Sequence, residues 1–65
     1  MNDLKYQFYV QQCDGGFVIF QSSWRGEDFI RKHRHSIVYS TAKAADRRCR
    51  SLVGLAADRG ELKHG

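Results

Sequence analysis

The sequence predicts an α+β fold, a small three-stranded antiparallel sheet packed against one C-terminal helix. Three observations carry this. Leu4, Tyr6, Phe8 and Val10 alternate with Lys5, Gln7, Tyr9 and Gln11, the two-residue period that lays one face of a strand on a core. The run from Cys13 to Gly16 then supplies a reversal, and an apolar and aromatic run from Phe17 to Trp24 comes after it. Past Thr41 the period changes, because Ala42, Ala45, Cys49, Leu52, Val53 and Ala56 fall within an arc of about 100°, the width of a buried helical stripe.

The first two strands, residues 4–12 and 17–24, form a hairpin whose register is set by burial, since residues opposite one another share a face. A three-residue loop, Asp14 to Gly16, sets Val10 opposite Phe20, Phe8 opposite Ser22 and Tyr6 opposite Trp24. A two-residue loop would pair Val10 with Ile19 and put Phe20 and Trp24 on the polar face, so the longer loop is expected. Gly26 breaks the second strand, and residues 25–35 read as an ordered loop. Ser36 to Ser40, short and β-branched, is the third strand. Ser40 or Thr41 caps a helix over residues 41–59, closed by Gly60, and the tail from Glu61 to Gly65 reads as frayed.

At 65 residues there is room for one domain, 1–65, with a core that only just offsets the conformational entropy of folding. A chain this small often recruits a partner, and a homodimer sharing a sheet or a helix face is one open arrangement. The 42% hydrophobic and 12% aromatic content, without proline, suits a compact fold rather than a disordered tail. No apolar run approaches a membrane span and no apolar leader precedes the first strand, so a soluble cytoplasmic protein with Cys13 and Cys49 as free thiols is expected. A formal charge of +4 points to anionic partners, the phosphate backbone of nucleic acid or an acidic protein surface.

Two basic clusters give the partner question its content. Arg31, Lys32 and Arg34 crowd with His33 and His35 just before the third strand. Lys43, Arg47 and Arg50 recur at spacings of four and three, forming a ridge away from the buried stripe. On one side of the molecule the two would track phosphates together; facing apart, they would not. The favoured reading is a non-enzymatic nucleic-acid-binding accessory or regulatory protein, with those six residues on phosphates. The alternative is a protein-binding inhibitor or adaptor, using Tyr9, Phe17 and Ile19 on the open sheet face or an exposed edge.

Catalytic and metal chemistry find little footing. Cys13 with His33 or His35 is formally a nucleophile and base, but a core of this size leaves little room for a water-excluding pocket. Glu27 and Asp28 adjoin on a surface segment, and no phosphate loop is present, so neither an enzyme nor a cofactor is expected. The histidines and cysteines lack the paired spacing of a zinc site, and no metal is expected.

The segment VYSTAKAADRRCRSLVGLAADRGEL, with the hairpin before it, resembles small bacterial and phage domains in which a β-meander leads through a Thr-x-x-x-Ala start, Thr41 and Ala45, into one basic helix. The arm-type DNA-binding domain of tyrosine integrases is similar. That resemblance implies a sheet entering the DNA major groove with the helix behind it, and by position it implies Tyr9, Gln11, Ile19 and Gln21 at the interface. The basic residues here concentrate on the loop and helix rather than on the expected sheet. A likeness in type to short phage-encoded inhibitors of host enzymes or defence complexes implies the protein-binding alternative.

Overall fold

The computed structural model describes residues 3–63. Three antiparallel strands, β1 (Leu4–Cys13), β2 (Gly16–Arg25) and β3 (Asp28–Tyr39), form one sheet in the order β1-β2-β3, and α1 (Ala42–Asp58) packs across it. The α+β arrangement is as expected. Three details are not.

The hairpin takes the shorter loop, with Cys13 opposite Gly16, Val10 opposite Ile19, Phe8 opposite Gln21 and Tyr6 opposite Ser23. Asp14 and Gly15 alone make the reversal, with Gly15 at φ +89°. The expected register assumed that every large aromatic belongs under the helix. Instead Ile19, 1% exposed, fills that position opposite Val10, and Phe20 and Trp24 turn to the other face, where ring partners shelter them. The polar side chains brought to the helix side are accommodated there, for Gln21 Oε1 lies 3.0 Å from His35 Nε2 and Ser23 is buried.

The expected loop before the third strand is itself strand. β3 runs for 12 residues from Asp28, paired with β2 through Arg25–Asp28, Ser22–Lys32, Phe20–Arg34 and Phe17–Tyr39. Gly26, at φ +62°, turns the chain in a second tight reversal rather than ending the sheet. Irregularities between Val18 and Phe20 and between Ser23 and Trp24 show that the β2–β3 pairing is interrupted twice. A strand at the sheet's edge tolerates cations because it has no neighbour on one side to crowd them.

The helix begins as expected, with Thr41 extended and its hydroxyl accepting from the Ala44 N–H at 3.2 Å. Ala45, Cys49 and Ala56 form the buried stripe, Leu52 and Val53 flank it half-buried, and Ala42 is exposed. The C-terminus closes in a Schellman pattern, with the Gly60 N–H on the Ala57 carbonyl and the Glu61 N–H on that of Ala56, while Gly60 takes φ +69°. Residues 61–63, expected to fray, are instead paired. Leu62 bridges to Tyr6 in parallel, the Tyr6 N–H donating to the Glu61 carbonyl at 2.7 Å and the Lys63 N–H to that of Tyr6 at 2.9 Å. The Lys5 ammonium also donates to the Gly60 carbonyl, so this segment covers the outer edge of β1. The expectation of a mobile His64 falls outside the described residues.

Candidate nucleic-acid interface

Because strand side chains alternate, the register divides the sheet's residues between two faces. α1 covers one of them, meeting Tyr6, Phe8 and Gln21 through Leu52, Leu55 and Arg59 across a groove of ≈ 330 Å³. The opposite face carries no helix. Four cross-strand rows build it: Gln11, Val18 and Val38; Tyr9, Phe20 and Arg34; Gln7, Ser22 and Lys32; Lys5, Trp24 and Phe29. Val18 and Ser22, small residues of the central strand, are buried in their rows between longer side chains.

Aromatic rings and cations interlock on this face. Tyr9 and Phe20 stack with centroids 5.6 Å apart and planes 22° from parallel, and the Lys32 ammonium stands over both rings. Trp24 meets Phe29 edge-on at 5.4 Å, with the Lys63 ammonium 5.3 Å from the Trp24 ring centre. Lys63 also faces Glu27 at 3.6 Å. Such cation–ring contacts hold an ammonium in place for about 0.5–1 kcal/mol each at exposed sites, leaving it free to exchange partners.

The expected site residues separate. Lys32 and Arg34 lie on the helix-free face among Gln7, Tyr9 and Gln11, whereas Arg31 opposes Ser23 and points to the helix side. Lys43, Arg47 and Arg50 form the expected ridge, lining a shallow concavity of ≈ 500 Å³ with Asp46 and Ser51, and Arg50 pairs with Asp46 at 3.0 Å. Since Ala45, Cys49 and Ala56 turn toward the sheet, the ridge points away from it, and the two basic clusters face in opposite directions.

The alternative trio separates too. Tyr9 is 37% exposed on the helix-free face, but Ile19 is buried and half-buried Phe17, opposite Gln12 and Tyr39, belongs to the helix side. Of the four residues the integrase-type resemblance implies, Tyr9 and Gln11 reach the open face while Ile19 and Gln21 do not. That Lys32 and Arg34 belong to this sheet face was not anticipated. The missed signal was the Gly26 turn set between Trp24 and the apolar pair Phe29 and Ile30, a second hairpin written in the chain.

On the helix side, His33 and His35 lie with ring centres 5.5 Å apart. Burial first, then the neighbouring His33 and Arg48, hold the His35 imidazole below its usual range. Burial, reinforced by Asp46, raises the Cys49 thiol above its ordinary value, and neither Cys49 nor Cys13 is in a disulfide. Among the described residues no three His, Cys, Asp or Glu side chains gather as a metal site, and no helix is long and apolar enough to cross a membrane. No known protein family, curated protein or solved structure matches the chain.

Proposed function

We propose that this protein binds nucleic acid through the helix-free face of its sheet. The observation that carries the reading is the adjacency of two rows, Gln7–Ser22–Lys32 and Tyr9–Phe20–Arg34, which bring two cations, an amide and an exposed aromatic ring onto one surface. Lys32 and Arg34 would contact phosphates, whose charge supplies much of the affinity in such complexes. Gln7 and Gln11 flank Tyr9 on β1 and present donor and acceptor groups of the kind that recognise base edges. A sheet is an established form for such contacts, since strands can enter a groove as helices do.

Protein binding by strand addition draws less support. Between its two irregularities the pairing of β3 is regular over Arg31 to Arg34, and three of those four side chains are cations. Bulges and edge charges are the devices that keep an edge from accepting another strand.

The test is an anisotropy titration of labelled duplex and single-stranded oligonucleotides at low salt. Binding that weakens steeply with salt, and whose salt slope on duplex DNA falls by about 2 in Lys32→Gln/Arg34→Gln, supports the reading. Absence of binding at micromolar protein in about 50 mM salt overturns it.

A further inference from the structure

Both clusters of cations are exposed, yet they cannot serve one stiff ligand. The ridge of Lys43, Arg47 and Arg50 lies on the side of α1 away from the sheet, and Lys32 and Arg34 lie on the side of the sheet away from α1. The molecule's two shorter dimensions are 21 and 19 Å. Duplex DNA keeps its direction over about 150 bp, so one duplex cannot fold around so thin a body to reach both sides.

We infer that the helix ridge is a second nucleic-acid surface, and that a single chain bridges two duplex segments, one on the sheet face and one on the outer face of α1. This rests on the proposed sheet interface. The chemistry of the ridge suits a phosphate backbone. Lys43 and Arg47 have no carboxylate within ion-pair reach among the described residues, and Arg50 is held only by Asp46, both on an exposed surface where the carboxylate yields readily to a phosphate. The long side chains of Lys43, Arg47 and Arg50 leave a hollow between them rather than a packed surface. Two duplexes held about 20 Å apart by the protein are separated by more than the ~8 Å screening length of physiological salt, so their mutual repulsion does not forbid the arrangement.

Bridging is read by energy transfer between two duplexes, one labelled with a donor and the other with an acceptor, as protein is added. The parallel measurement is anisotropy of one labelled duplex in excess. Three variants separate the surfaces: Lys43→Gln/Arg47→Gln on the ridge, Lys32→Gln/Arg34→Gln on the sheet, and Asp46→Asn, which frees Arg50. The expected result is transfer in the wild type, its loss in the ridge variant with single-duplex binding kept, and stronger transfer in Asp46→Asn. The sheet variant should likewise lose transfer, while keeping weakened single-duplex binding with a shallower salt slope. Binding without transfer at any protein-to-duplex ratio overturns bridging while leaving the sheet interface standing. Transfer that persists in the ridge variant also overturns it, since bridging would then come from self-association of the chain. Absence of any binding removes the interface on which the inference rests.

Discussion

The Lys32 ammonium lies 4.6 Å from the centre of the Phe20 ring and 5.5 Å from that of Tyr9, two rings themselves only 5.6 Å apart. One contact thereby joins residues of all three strands. It belongs to the folded chain, yet the ammonium stays at the surface, and the two roles can be separated by substitution. Lys32→Gln should lower stability by no more than about 1 kcal/mol in urea unfolding. The same change should make the salt dependence of duplex binding shallower by about 1, and Lys32→Arg should restore it.

The observed hairpin register gives Ile19 and Ile37 opposite prospects, although the sequence offers no local reason to distinguish them. Ile19 is 1% exposed against Val10 and the helix side, while Ile37 is 58% exposed on the edge strand. Ile19→Ala should cost about 2–5 kcal/mol, as other deletions of buried side chains do. Ile37→Ala should stay within about 0.5 kcal/mol, and denaturant midpoints of the two variants compare them directly.

Gly54 and Gly16 should respond to alanine with opposite signs. Gly54 lies inside α1 with nothing within 4 Å of where a Cβ would stand, so Gly54→Ala should stabilise by about 1 kcal/mol through helix propensity. At Gly16, with φ +146°, a Cβ would come 2.1 Å from the Tyr39 carbonyl oxygen, part of the backbone of the neighbouring strand β3. Gly16→Ala must push β3 from β2 at that end, and thermal melts should place it well below the wild type.

His35 makes stability depend on pH in a stated direction. Its folded pKa is depressed, so the unfolded chain binds a proton more readily, and stability falls as pH drops from about 6.5 toward the folded value. Arg48 and His33 face the ring electrostatically, and Gln21 meets it directly. In His35→Gln this part of the acid sensitivity should disappear, which urea midpoints taken between about pH 5 and 8 would reveal.

The helix was legible in the sequence because its signals are local. Thr41, the stripe through Ala45, Cys49 and Ala56, and Gly60 all act within a few residues of the positions they define. The register was not, because loop lengths of two and three are both compatible with Asp-Gly-Gly, and the choice depended on where Phe20 and Trp24 find cover. That cover is supplied by Tyr9 and Lys32 and by Phe29 and Lys63, from segments whose positions were themselves unsettled. The extent of β3 was hidden for a related reason: Arg31 to His35 carry no apolar alternation, because an edge strand needs none. All six cations of the candidate site were placed on a loop or a ridge by local pattern alone, and that pattern could not reveal that Lys32 and Arg34 share one surface, that Arg31 turns to the helix side, and that Lys43, Arg47 and Arg50 occupy another.

The pairing of residues 61–63 beside β1 is the contact of longest sequence separation at the edge of the described fold, and it bears on the order in which the elements can form. The two hairpins join neighbours in sequence, whereas Lys5 reaches Gly60 across 55 positions, and Tyr6 meets Leu62 in the same clasp. Closing so long a loop costs entropy that the short reversals do not incur. During synthesis the sheet can therefore form as soon as β3 leaves the ribosome, while the rim of β1 stays open until the helix is complete. Among the described residues, the first strand is sealed only by a segment made after β2, β3 and α1.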